Sequence, residues 1–343
     1  MTEPLAERRE IAYFDPLERA WRRMVEQLFR PFDLAHWLVL GFACWLSQLA
    51  GGRGTNFNFN VPAGIFEDDA DAATLGGLSD GFPGGFDPEN LLAPMALGCL
   101  VVFLLLLLVL IPVLMWLSAR GQLIFLDGVI HRRAAIVRPW KEFRREGNSL
   151  FLWQLGFLLV VIVSAVVVMA PGVVLLVVAE KAGDSLLPGI LVLVVPFVPW
   201  LVVLLYVGFF LTAFVVPIMH RERLRTNAAW RVFLPLLRAE WPRFLLVGLF
   251  VAALHVVVGI AIVIAGFATC CVLFIVLIIP YIGTVAMLPL IVAYRAYTLE
   301  FLAQFSPRFD FFAAAGGGGQ AETEAPPPLP PPPLPPSSPP PPV

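Results

Sequence analysis

Charge is scarce in this sequence, and so are the short motifs that announce common catalytic sites. Only 14% of the 343 residues are Asp, Glu, Lys or Arg, against 59% hydrophobic. Soluble chains run at about 25% charged and 45–50% apolar, so a soluble domain of this length is excluded: it could not bury so much apolar surface. There is no HExxH zinc helix and no GxxxxGK[ST] phosphate loop. The four cysteines form no framework. Cys44 and Cys99 lie in or beside apolar runs and read as small apolar side chains, and the adjacent Cys270 and Cys271 would pair only with strain, which favours free thiols. The net charge of −2 is separated by sign along the chain and offers no footprint for nucleic acid.

What is present is a set of long apolar runs. A helix needs about 20 apolar residues to cross the hydrocarbon core. Runs at 34–50, 91–117 and 150–179 each supply one span. The run 186–219 reaches roughly 50 Å as a helix, too long for one upright span and too short for two, so it reads as one tilted span bent at Pro196 and Pro199. The last run divides into spans 244–266 and 271–299, with the turn in Gly266–Cys271. The expected fold is all-α: a polytopic membrane protein with six transmembrane helices and cytoplasmic interfacial amphipathic helices.

If six spans alternate, one side holds 21 Lys/Arg and the other only Arg53 and Lys181. That asymmetry places both termini in the cytoplasm. The stretch 118–154 then becomes a basic cytoplasmic loop, and the apolar runs read as free of Asp, Glu, Lys and Arg, with Arg295 counted to the inner flank of the last. Carriers and pumps that use buried carboxylates are disfavoured accordingly.

The first 33 residues are charged throughout and show no cleavable signal peptide. Within them Leu17, Trp21, Met24, Val25, Leu28 and Phe32 fall on one helical face, and Arg19, Arg22, Arg23, Glu26, Gln27 and Arg30 on the other, which predicts a helix lying flat at the inner interface. Similar Trp-and-cation segments begin at Trp21, Trp140 and Trp230, each leading into a span, and suggest three helix pairs. Interfacial helices in general attract Trp and Arg, so the likeness has a second explanation. Arg22, Arg23, Arg132, Arg133 and Arg138, with Trp140, are the lipid-headgroup candidates; the partner they imply is the bilayer itself, anionic lipids above all.

The loop 51–90 carries nine Gly and seven acids and reads as a solvated outer loop; its EDDAD lacks the spacing of a known calcium loop. The tail 302–343 ends with 13 Pro in 18 residues, extended and cytoplasmic, either simply solvated or docking a proline-reading protein partner. His36, His131 and His220 read as ordinary interface residues. His255, at the middle of the fifth span, is the intramembrane polar candidate; the preferred reading is a neutral imidazole bonded through Gln154, Ser164, Thr212 or a backbone carbonyl. No catalytic residues, metal ligands or cofactor site emerge.

The segments RPFDLAHWLVLGF, SARGQLIFLDGVI, RPWKEFRREGNSLFLW and IPYIGTVAMLPLIVAYRAYTLEFLAQF, spread over residues 15–310, resemble an uncharacterised family of bacterial six-span membrane proteins, a domain of unknown function. They are more distantly similar to the membrane domain attached to some glycerophosphodiester phosphodiesterases. The resemblance implies a bacterial inner membrane and transfers no catalytic residues. Two functions follow as expectations: a non-catalytic lipid-interacting or envelope accessory factor, or an uncoupled permease or flippase. The second would use helix breaks at Pro171, Gly172, Pro280, Gly283 and Pro289; no polar lining accompanies them, which favours the first.

Overall fold

The computed structural model describes residues 12–49, 88–133, 135–183 and 185–313, with side chains of the third helix from residue 98 onward. The expected outer loop therefore lies outside the described residues up to residue 87, and the proline-rich tail from residue 314. Helices follow one another as α1 (Asp15–Leu28), α2 (Leu34–Gln48), α3 (Pro88–His131), α4 (Val137–Glu142) and α5 (Arg144–Ala182). After α6 (Leu187–Phe210) a π turn, Leu211–Val215, runs directly into α7 (Val216–Glu222). The chain continues as α8 (Thr226–Ala239), α9 (Trp241–Ala268), α10 (Val272–Ile278) and α11 (Pro280–Ala303). No strand occurs among the described residues.

Apolar sequence this continuous leaves helix as the economical form, because each backbone group is satisfied within its own segment. Local signals set the boundaries. Asp33 accepts from the Ala35 amide and starts α2, Gly183 ends α5 in the left-handed conformation, and Cys270 and Cys271, both with positive φ, reverse the chain between α9 and α10.

Five described helical segments are long and apolar enough to cross a membrane: Gly98–His131, Arg144–Ala182, Leu187–Glu222, Trp241–Ala268 and Pro280–Ala303. The expected first span is instead the 15-residue α2, about 22 Å long and short of the hydrocarbon thickness. A six-span count is not what this architecture shows. The five also differ in surroundings. In the first three only 6% of the most apolar stretch is buried, against 67% in Pro280–Ala303. α11 is thus the central post, and α3, α5, α6 and α9 present bare Leu, Val and Ile outward, as helices solvated by lipid do.

The apolar helices emerge from a packed body at one end, here called the basic end. Two clusters build it. One gathers Leu123, Leu126, Phe214, Met219, Phe233, Phe244, Tyr297 and Phe301 from α3, the π turn, α7, α8, α9 and α11. The other joins Met24 and Leu28 of α1 to Leu40, Cys44, Ile124, Leu288 and Val292. The expected loop 118–154 is mostly helix here: Ser118–His131 continues α3 and is buried as far as Ile130, with Leu123 and Leu126 at 0% exposure. Gly121 makes that burial close. A Cβ there would lie 2.6 Å from the Ser47 amide nitrogen, and Ser118 donates to the Ser47 carbonyl at 2.6 Å, so α2 and α3 meet backbone to backbone.

In the α5–α6 hairpin Gly172 sits against Leu193, and the Trp200 indole donates to Ser164 at 3.0 Å. α6 runs through Pro196 and Pro199 unbroken; the irregular turn lies later, at Leu211–Val215, where the Thr212 carbonyl receives Arg295. The segment after α11 is not all free tail, since Phe309 and Phe311 are buried and Arg221 donates to the Asp310 carbonyl. α1 docks on α11 rather than presenting its whole apolar face outward: Pro16, Ala20, Met24 and Leu28 are buried, whereas Trp21 is 54% and Phe32 61% exposed.

Candidate functional site

Most headgroup candidates are already engaged within the protein. Arg23 donates to Glu300 at 2.6 Å, with Arg19 at 3.4 Å on the other oxygen. Arg132 donates to Glu26 at 2.7 Å, and that hydrogen bond holds the Glu26 carboxyl below the usual carboxylate range. Arg133 is bound to Asp127. Among the described residues Arg22 makes no ion pair and Arg138 lies 3.9 Å from Glu142, so these two candidates keep their charge largely for the surroundings. Trp140 is half-buried, edge-on to Trp116, and the Arg120 guanidinium stacks on both rings at 4.4 and 5.1 Å.

The sequence reading missed a buried ionic centre. Asp127, 2% exposed, accepts from His220 Nε2 at 3.2 Å, from His131 Nδ1 at 2.9 Å and from Arg133 Nε at 3.3 Å. His131 and His220 are therefore not merely border residues. They converge on one carboxylate from α3 and α7, and Phe143 stacks on the His220 ring at 4.5 Å. Two histidines and a carboxylate within 4.8 Å are the ligand types of a transition-metal centre. Arg133, however, reaches both Asp127 oxygens, at 3.3 and 3.4 Å, so an added dication would share its carboxylate with a guanidinium. The arrangement suits an ionic latch tying α7 and the chain after α3 to α3 itself.

Two further charges, expected at the inner flank of the last span, are buried within α11. Arg295 and Glu300 of α11 are 3% and 6% exposed. Arg295 satisfies the Thr212 carbonyl at the π turn, and Glu300 receives Arg19 and Arg23. The letters AYRAYTLEF display both, but not their burial or their partners. The string GLSDG, 77–81, spells a GxSxG nucleophile turn and falls outside the described residues.

His255 bonds through Nδ1 to the Val251 carbonyl of its own helix at 2.7 Å and meets the Tyr294 ring edge-on at 5.0 Å. Both border a cavity of about 520 Å³ beneath α1, walled chiefly by Phe14, Trp21, Leu254 and Leu290. Ser164 bonds to Trp200, and the Thr212 hydroxyl to the Gly208 carbonyl of its own helix. Cys44 is buried, and Cys99, Cys270 and Cys271 are exposed free thiols.

The two described ends of the chain meet. Ala12 and Gln304 exchange hydrogen bonds of 3.0 Å in both directions, so the first and last described helices close on each other at the basic end. Neither curated proteins nor solved structures yield a match. A family model does match, over residues 11–305, and by that match the chain belongs to the Family of unknown function (DUF7544).

Proposed function

We propose that this protein is a non-catalytic component of the bacterial cytoplasmic membrane, with both described ends inside, that engages anionic lipid headgroups through the rim of its basic end. One observation carries the reading. Among the described residues Arg22, Arg30, Arg144, Arg145 and Arg225 are exposed and make no ion pair, and Arg144 and Arg145 open the apolar helix α5. Exposed aromatics, Phe14 at 72%, Trp21 at 54% and Phe29 at 45%, share that rim. Aromatic rings and arginines are the side chains favoured at headgroup depth, and each cation near an anionic leaflet adds about 1 kcal/mol of attraction.

An uncoupled permease or flippase fits less well. α5 continues through Pro171, with Gly172 packed on Leu193, and a Cβ at Gly283 would meet the Leu277 carbonyl at 2.5 Å. These breaks serve close packing rather than a polar passage. The test is lipid analysis of the protein purified in nonionic detergent: enrichment of anionic phospholipid over the bulk membrane is expected, and a bulk composition refutes the reading.

A further inference from the structure

The rim holds one feature built more deeply than a charged surface. α5 and the start of α8 are clasped by Ser149 and Thr226: the Thr226 amide donates to the Ser149 hydroxyl at 3.0 Å, and the two hydroxyls lie 3.2 Å apart. Beside the clasp, Trp153 stacks on Trp230 at 5.7 Å and on Phe157 at 5.2 Å. These contacts border a groove of about 870 Å³ whose two ends differ in chemistry. Arg145, Arg225, Asn148 and Asn227 line one end; Leu152, Gly156, Phe157 and Val160 line the other.

We propose that this groove binds one anionic glycerophospholipid of the surrounding leaflet, its phosphate between Arg145 and Arg225 and an acyl chain along α5. The proposal rests on the rim reading above and names its specific site.

Charge comes first. Neither Arg145 nor Arg225 has an ion pair or side-chain hydrogen bond among the described residues, while Arg19, Arg23, Arg132, Arg133, Arg223 and Arg308 are all held by carboxylates. Two guanidinium groups on one groove repel each other, and a phosphate between them relieves that repulsion through paired N–H donors. Asn148 is set for the same ligand. Its carbonyl oxygen already accepts from Arg120 at 2.9 Å and from Trp116 at 3.1 Å, which leaves its amide N–H groups to donate. A headgroup carrying its own ammonium would bring a third cation to this end, so the site selects against zwitterionic lipids.

Length agrees with charge. Arg145 and Val160 are fifteen residues apart on one helix, about 22 Å. That is half of the roughly 40–45 Å bilayer including headgroups, the depth of a single leaflet. The apolar end is also open: a Cβ on Gly156 would meet nothing within 4 Å, and Leu152 and Val160 are 65% and 61% exposed. A glycine there keeps the wall low beside Phe157, where a chain can lie.

The experiment uses the full-length protein in nonionic detergent and native mass spectrometry with added phosphatidylglycerol, phosphatidylethanolamine or inorganic phosphate. The wild type is expected to retain one phosphatidylglycerol in preference to phosphatidylethanolamine, unaffected by millimolar phosphate. Arg145→Gln with Arg225→Gln should weaken phosphatidylglycerol about 30-fold, whereas the double Lys variant should retain most of the binding. Gly156→Phe, which keeps both arginines, should weaken it by blocking the chain. Preference undiminished in the Gln pair overturns the groove and leaves the rim reading standing, with Arg22, Arg30 and Arg144 as its carriers. Displacement by inorganic phosphate shows a free-anion site and overturns the lipid assignment. Equal retention of both lipids by the wild type overturns the rim reading together with the groove.

Discussion

Replacing Asp127 by asparagine separates structural from peripheral charge at the basic end. Asn keeps the shape and one acceptor oxygen but removes the charge on which His131, His220 and Arg133 converge. Breaking a fully buried ion pair costs about 3–5 kcal/mol. Here Asp127 and His220 are 2% and 7% exposed, but the His131 and Arg133 side chains are 34% and 36% exposed, so water screens two of the three contacts. About 2–3 kcal/mol is then the expected loss. At about 2–4 °C per kcal/mol for a chain of this order, the midpoint should fall by about 4–12 °C. The assay is thermal loss of the monodisperse peak in detergent. Arg132→Gln is the control: its pair with Glu26 is 49% and 42% exposed, and the midpoint should stay in place. An Asp127→Asn protein no less stable than the Arg132→Gln protein would refute the latch.

Gly172→Leu should open the α5–α6 hairpin, because a Cβ there lies 2.6 Å from the Leu193 Cβ and 2.7 Å from its Cα, atoms that cannot swing aside. The expected loss is about 1–3 kcal/mol; Gly156→Leu, which meets open space, should lose nothing in the same melt. In a cysteine-free background, a cysteine at Ser79 should react with an impermeant reagent from outside the cell, and one at Ser306 only after the membrane is opened. Reaction at Ser306 in intact cells would show that the basic end faces outward.

The helical class and the long apolar segments were legible because apolar composition and length express them directly. The turn after α9 was also visible, since Thr269–Cys271 falls within the stretch where the apolar pattern pauses. Charge was the misleading signal. Counting Lys and Arg as solvent-facing turned Ser118–His131 into a loop, whereas Arg120 lies on two tryptophans and Asp127 is enclosed by Arg133 and two histidine rings. A side chain's sign is read from its letter, but its partner, 93 residues away for Asp127 and His220, is not. The π turn at Leu211 was not legible for a related reason: it is stabilised by an arginine from a distant helix.

The pairing of Arg23 with Glu300 has a consequence in time. The two residues are 277 positions apart. At about 5–20 residues per second of synthesis, roughly 15–55 s separate their appearance at the ribosome. During that interval Arg19 and Arg23 have no carboxylate from α11 to pair with. Once α11 arrives, Glu300 pairs with both and Gln304 holds the backbone of Ala12 just before α1. The docking of α1 therefore waits for the last helix to be made, and Glu300→Gln should loosen α1 while leaving the orientation of the protein unchanged.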